Sequence, residues 1–210
     1  LTVDLAAIAA RAPVIPVLTI ERTETAVPLA RALVKGGLPV LEITLRTEVA
    51  LEALRAIVAE VPEAIVGAGT VLNPAQLEQV QRAGARFAVS PGCTAALAAA
   101  ARSSGFPFLP GIQTVSEAMK LADQGFRLLK FFPADAAGGT TWLKAVGAPL
   151  AGVSFCPTGG VTAETAASYL ALANVACVGG SWVAPRVVVA TGDWQKVERL
   201  AAAASTLKGR

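Results

Sequence analysis

Apolar residues along this chain follow two alternating rhythms. Short runs rich in β-branched and large aliphatic residues recur eight times: PVIPVLTI (13–20), LPVLEITL (38–45), AIVGAGTV (64–71), RFAVSPG (86–92), PFLPGI (107–112), RLLKFFP (127–133), GVSFCPTGG (152–160) and NVACVGGSW (174–182). Runs of this length, bounded by glycine and proline, predict strands buried on both faces. The stretches between them carry helical spacing. TAVPLARALVKGG ends at a glycine pair, and TEVALEALRAIVAEVP sets Val49, Leu51, Leu54, Ile57 and Val58 mostly on one helical face before Pro62. NPAQLEQVQRAGA offers Asn73 as N-cap, Pro74 at the first helical position and Gly84 as a stop. TVSEAMKLADQG holds a capping box from Thr114 to Glu117 and ends at Gly125. VTAETAASYLALAN and DWQKVERLAAAAS supply the later helices, and LTVDLAAIAARAP reads as a short amphipathic helix at the amino end.

Strand–helix units without a hairpin signal imply a parallel sheet, and eight of them close most naturally into a (β/α)8 TIM barrel preceded by that short helix. A doubly wound open sheet is the structural alternative. No linker, low-complexity stretch or compositional break divides the 210 residues, so a single domain over 1–210 is expected.

Composition narrows the chemistry. The chain is 54% hydrophobic and 16% charged, with mean hydropathy +0.57, which points to a large core and excludes disorder. No apolar stretch reaches the roughly 18 residues of a membrane span, and Asp4 and Arg11 interrupt any signal-like amino end, so a cytoplasmic location is expected. Three widely spaced cysteines, Cys93, Cys156 and Cys177, fit neither a disulfide framework nor a zinc site and read as small buried hydrophobes. Histidine is absent. Catalysis must therefore use carboxylates, lysine, arginine, hydroxyls and backbone, with no His-based nucleophile or metal site. The net charge of +3 comes from singly scattered Lys and Arg, which argues against nucleic acid and suits a small anionic metabolite.

In FRLLKFFPADAAGG, period two sets Leu128, Lys130 and Phe132 on one side of the strand and Leu129 and Phe131 on the other. Lys130 is thus a cation inside an apolar strand. In LPVLEITLRT the same period aligns Val40, Glu42, Thr44 and Arg46, bringing a carboxylate inside the barrel with an arginine above it. Desolvation and repulsion from Arg46 favour a neutral Lys130 amine, and Glu42 opposes this. A neutral amine attacks carbonyls, making Lys130 a Schiff-base candidate. Simpler structural readings are a Lys130–Glu42 salt bridge in the interior, or a Glu42–Arg46 pair at the rim.

Gly159 and Gly160 end the seventh run and Gly179, Gly180 and Ser181 the eighth, with Thr162 placed to cap the helix after the former. Paired glycines at neighbouring strand ends let backbone amides approach an anion, where barrels commonly hold phosphate. Thr70, Pro91 and Thr158 stand at further strand ends, where a hydroxyl can hold a carboxylate or hydroxyl of a substrate.

With GGLPVLEITLRT, EAIVGAGTVLNP, FAVSPG, PFLPGI, LLKFFPA, FCPTGG and GGSWVAP in this order, the chain resembles the class I KDPG/KHG aldolase family of the Entner–Doudoroff pathway over nearly its whole length. The resemblance implies a homotrimeric barrel enzyme, using neither metal nor cofactor, that cleaves 2-dehydro-3-deoxy-6-phospho-D-gluconate to pyruvate and D-glyceraldehyde 3-phosphate. It implies Lys130 as the Schiff-base lysine and Glu42 as general acid/base, with Arg46, Thr70 and Pro91 at the pyruvate carboxylate. Thr158 would influence stereochemistry, and Gly159, Gly160, Gly179, Gly180 and Ser181 would form the phosphate pocket. Related specificities, for the galactonate epimer or 4-hydroxy-2-oxoglutarate, stay open, as does a non-catalytic phosphosugar-binding barrel.

Overall fold

The computed structural model describes residues 4–207; the outermost positions of the predicted amino-terminal segment and of the single domain, 1–3 and 208–210, lie outside the described residues. Every one of the eight predicted runs contains strand: β1 (Val14–Leu18), β2 (Val40–Thr44), β3 (Ile65–Gly69), β4 (Phe87–Val89), β5 (Phe108–Leu109), β6 (Gly111–Ile112), β7 (Leu128–Phe131), β8 (Ser154–Pro157) and β9 (Val178–Gly180). The fifth run yields two strands because Pro110 has no N–H for the ladder. Its carbonyl still accepts from the Lys130 amide at 2.9 Å.

All strand pairs are parallel, so the fold is α/β with a parallel sheet. Hydrogen-bonded neighbours run β5-β4-β3-β2-β1-β9 in one sheet and β6-β7-β8 in the other. Isolated parallel bridges, Phe155 to Val175 and Thr158 to Gly179, lead from β8 to the β9 segment. These connections need crossovers, and helices supply them.

Alternation along each strand sorts the core into two layers. Ile15, Val40, Phe87, Val89, Leu109, Leu128, Cys156 and Cys177 form one buried cluster. Their sequence neighbours Leu41, Ile43, Ala88, Leu129, Phe131, Phe155 and Val178 belong to a second cluster shared with the helices. Lys130 and Glu42 have the parity of the first layer, as period two requires.

The helices start where their caps predict. Asn73 accepts from the Gln76 amide at 2.9 Å ahead of Pro74–Arg82. Thr114 and Glu117 form the reciprocal capping box of Val115–Asp123. Asp193 caps Trp194–Ser205, and Asp4 caps the short helix Leu5–Ala9. Helices Ala95–Ser104, Gly139–Val146 and Arg186–Thr191 fall in stretches not singled out above. Thr162 caps the turn that leads into helix Ala166–Leu170: its hydroxyl accepts from the Thr165 amide at 3.4 Å, its carbonyl accepts from the Ala166 amide at 2.9 Å, and its own amide donates to Thr165 Oγ1 at 3.0 Å. Cys156 and Cys177 are buried as expected, whereas Cys93, in the loop after β4, is only half-buried. Among the described residues no helix is long and apolar enough to cross a membrane.

Candidate active site

Lys130 sits in β7, level with Gly111 on one side and Cys156 on the other. Glu42 is the central residue of β2. The two side chains meet in the interior, with Lys130 Nζ 3.2 Å from Glu42 Oε1 and only 4% and 3% of each exposed. The interior salt bridge weighed from the sequence is therefore present. The Lys130 ammonium position also lies 5.3 Å from the centre of the Phe132 ring. Removing either partner would strand a charge in a site with almost no water, so the two groups must be understood together.

Arg46 takes a different place from the one period two suggested. β2 ends at Thr44, and the Arg46 amide turns back onto the Thr44 carbonyl at 2.8 Å. Its side chain donates from Nε to Thr70 Oγ1 at 3.2 Å. The charge paired with Lys130 is thus a carboxylate, not a guanidinium, and Glu42 pairs with Lys130 instead of Arg46. The neighbouring thiols respond to this interior. A hydrogen bond from Cys177 lowers the Cys156 thiol from its ordinary range, with smaller help from Lys130, while burial opposes. Cys177 is held well above its ordinary range by the same hydrogen bond and by burial.

Two glycines make this packing possible. A Cβ on Gly69, level with Thr44, would lie 2.1 Å from Glu42 Oε1. One on Gly111, beside Lys130, would lie 2.3 Å from the Pro91 backbone. Pro91 is thereby seated on the strand next to Lys130. Thr70 follows Gly69 with φ of 59°, the single non-glycine residue at positive φ among the described residues. A β-branched residue there is strained, and such strain concentrates at functional sites. Here it directs the Thr70 hydroxyl to Arg46.

Beyond this pair opens a cavity of about 660 Å³, lined among others by Arg46, Phe132, Thr158, Gly159, Gly160, Gly179 and Ser181. Phe132 and Thr158 connect it to the interior: Phe132 by its contact with Lys130, Thr158 as the next residue on the same face after Cys156. Gly159 and Gly160 have φ of 92° and 79°, a conformation that glycine adopts without steric cost. Their amides, and that of Ser181, donate to no protein acceptor among the described residues. Gly179 is needed for proximity, since its Cβ would strike Thr158 Oγ1 at 2.3 Å. Gly180 does not itself line the cavity, but a Cβ there would strike the ring of Trp182, which does. Among the described residues no three His, Cys, Asp or Glu side chains gather into a metal-holding cluster.

Sequence reasoning singled out most of these positions but missed the supporting roles of Gly69, Gly111 and Phe132, and the charged rim formed by Glu21, Arg22 and Arg186. An amine–carboxylate pair in a dry interior, with a hydroxyl–guanidinium pair to one side and unused amides beyond it, can do carbonyl chemistry on an anionic substrate.

A family model described as KDPG and KHG aldolase matches residues 5–200. The KHG/KDPG aldolase of Escherichia coli (strain K12) is 53% identical over 189 residues, covering 90% of this chain and 89% of that protein. The 2-dehydro-3-deoxy-phosphogluconate aldolase of Zymomonas mobilis is 47% identical over 205 residues, covering 98% and 97%. Among solved structures, the KDPG aldolase from Legionella pneumophila, with pyruvate captured as a covalent carbinolamine intermediate, superimposes with TM-score 0.96 at 46% identity, covering 98% of this chain and 100% of that one.

Proposed function

This chain belongs to the KDPG and KHG aldolase family, and from that premise we propose that it is a class I aldolase with Lys130 as its Schiff-base residue. It cleaves 2-dehydro-3-deoxy-6-phospho-D-gluconate (KDPG) to pyruvate and D-glyceraldehyde 3-phosphate, and also 4-hydroxy-2-oxoglutarate to pyruvate and glyoxylate. The observation that carries the reading is the buried Lys130–Glu42 contact of 3.2 Å, in a chain whose relatives are aldolases. An ion pair in this environment is a store for the proton that must leave the lysine. Glu42 Oε1 stands where it can accept that proton from Nζ, and this transfer is the first step.

The amine then attacks the C2 ketone. Glu42, directly or through a water, moves the protons that allow the carbinolamine to lose water and become an iminium. As the C3–C4 bond breaks, Glu42 accepts the C4 hydroxyl proton and the iminium collects the bonding electrons as an enamine. Glyceraldehyde 3-phosphate departs. Protonation of the enamine at C3 and addition of water to the imine release pyruvate and restore the lysine. Arg46 and Thr70 hold the pyruvate carboxylate beside Pro91, and the amides of Gly159, Gly160 and Ser181 hold the phosphate. Gly179 and Gly180 act in that pocket by shape, making room for Thr158 and Trp182. Thr158, between the two ends, sets the face on which C4 is presented. Binding the far end of the substrate orients C3–C4 over Lys130.

The strand order, with the β8 to β9 bridges, supports a closed (β/α)8 barrel in a single domain. Assembly as a homotrimer in the cytoplasm follows from the family resemblance. The test is pyruvate release from KDPG, coupled to lactate dehydrogenase, with a chelator present. Turnover is expected; a protein that binds KDPG without releasing pyruvate would instead be a phosphosugar-binding barrel and would overturn the proposal.

A further inference from the structure

The cavity rim carries a charge arrangement that the reaction above leaves unused. Arg186, at the start of helix Arg186–Thr191, pairs with Glu21 of the loop after β1, Nη2 to Oε1 at 2.9 Å. Both line the cavity that holds Gly159, Gly160 and Ser181. β1 and β9 are hydrogen-bonded neighbours with Pro16 level with Gly180, so the pair ties together the two loops that leave their carboxyl ends. The side chains are 76% and 60% exposed, so water screens the contact and it opens at little cost.

Glu21 is the only carboxylate among the lining residues. A phosphate ester approaching the glycine amides meets that negative charge at the same rim unless something neutralises or replaces it. Of the other lining arginines, Arg46 is bonded to Thr70, and Arg22 pairs with Glu24, which lies outside the lining, at 3.3 Å in a similarly exposed contact. Arg186 alone is held by a group inside the cavity, and it leaves β9 on the same segment as Ser181. Its guanidinium fork matches a phosphate better than it matches one carboxylate oxygen, and a charged donor strengthens what neutral amides provide.

Resting on the aldolase reading, we propose that Arg186 is a specificity-determining residue for the phosphorylated end of the substrate. On binding, its guanidinium exchanges Glu21 for the ester oxygens, and Glu21 turns to solvent. The exchange favours the 6-phosphorylated keto acid over the same carbon chain without the ester.

Steady-state cleavage of KDPG and of unphosphorylated 2-dehydro-3-deoxy-D-gluconate should be compared for wild type, Arg186→Gln, Arg186→Lys, Glu21→Gln and the Glu21→Gln/Arg186→Gln double variant. Loss of one charged hydrogen-bonding partner predicts a KM for KDPG raised about tenfold in Arg186→Gln, with KM for the unphosphorylated compound within about twofold of wild type. Arg186→Lys, which keeps the charge without the fork, should fall between, and the double variant should stay weak. A double variant that recovers the wild-type KM would show that Arg186 only neutralises Glu21 and would overturn the inference. So would an unchanged KM in Arg186→Gln, or equal rises on both substrates. A wild type that releases no pyruvate from KDPG would sink the aldolase reading instead.

Discussion

Gly69 leaves the space that the Glu42 carboxylate occupies. A Cβ at Gly69 would stand 2.1 Å from Oε1 and 2.6 Å from Cγ of Glu42, distances that no real side chain tolerates. The glycine of GAGT is therefore part of how the carboxylate reaches Lys130.

Gly69→Ala should accordingly push Glu42 off Lys130, because the added Cβ overlaps its side chain from Cγ to Oε1. Losing a positioned acid/base group lowers kcat by about 100-fold or more. Normal turnover in this variant would contradict the packing account.

Glu42→Gln keeps the volume but removes the proton acceptor 3.2 Å from Lys130 Nζ. kcat should fall by about 10² to 10⁴. An undiminished kcat would argue that another group takes that proton.

Thr70 holds a strained backbone, φ 59°, and accepts from Arg46 at 3.2 Å. Thr70→Ala loses the acceptor and so loosens Arg46, raising KM for KDPG by about tenfold, a typical effect for a hydrogen bond to a charged group. Thermal stability should not drop, because alanine carries less steric cost at positive φ than a β-branched residue. A large loss of stability with unchanged KM would reverse the assignment from binding to structure.

Glu117 provides a pH test remote from the site. The Gln113 amide, followed by the Thr114 amide and hydroxyl, holds its carboxyl below the ordinary value of 4.5. A depressed folded-state value means that its contribution is complete above the unfolded value near 4.5 and disappears as pH falls through the lower folded-state value. Glu117→Ala should cost about 1 kcal/mol at neutral pH, as losing a cap does. The gap from wild type, read by thermal unfolding, should close in strong acid. A gap independent of pH would exclude the carboxylate as its source.

Much of this was legible in the chain because buried parallel strands write themselves as short apolar runs. The parity of RLLKFFP set Lys130 on the face opposite Leu129 and Phe131, as found, and caps at Asn73 and Thr114 marked helix starts through local hydrogen bonds alone. Errors arose where a local rule was carried past its element. Period two was extended to Arg46, but the strand had already turned at Thr44. The break at Pro110 was hidden in one apolar run. Gly69, Gly111 and the Glu21–Arg186 pair depend on segments distant in sequence coming together, and no spacing within one segment announces that.

The most direct test of the central claim is borohydride reduction in the presence of pyruvate, followed by mass measurement and peptide mapping. Wild type should gain one reduced pyruvate adduct, located on Lys130, and Lys130→Ala should gain none. An adduct on another lysine, or labelling of Lys130→Ala equal to wild type, would contradict it.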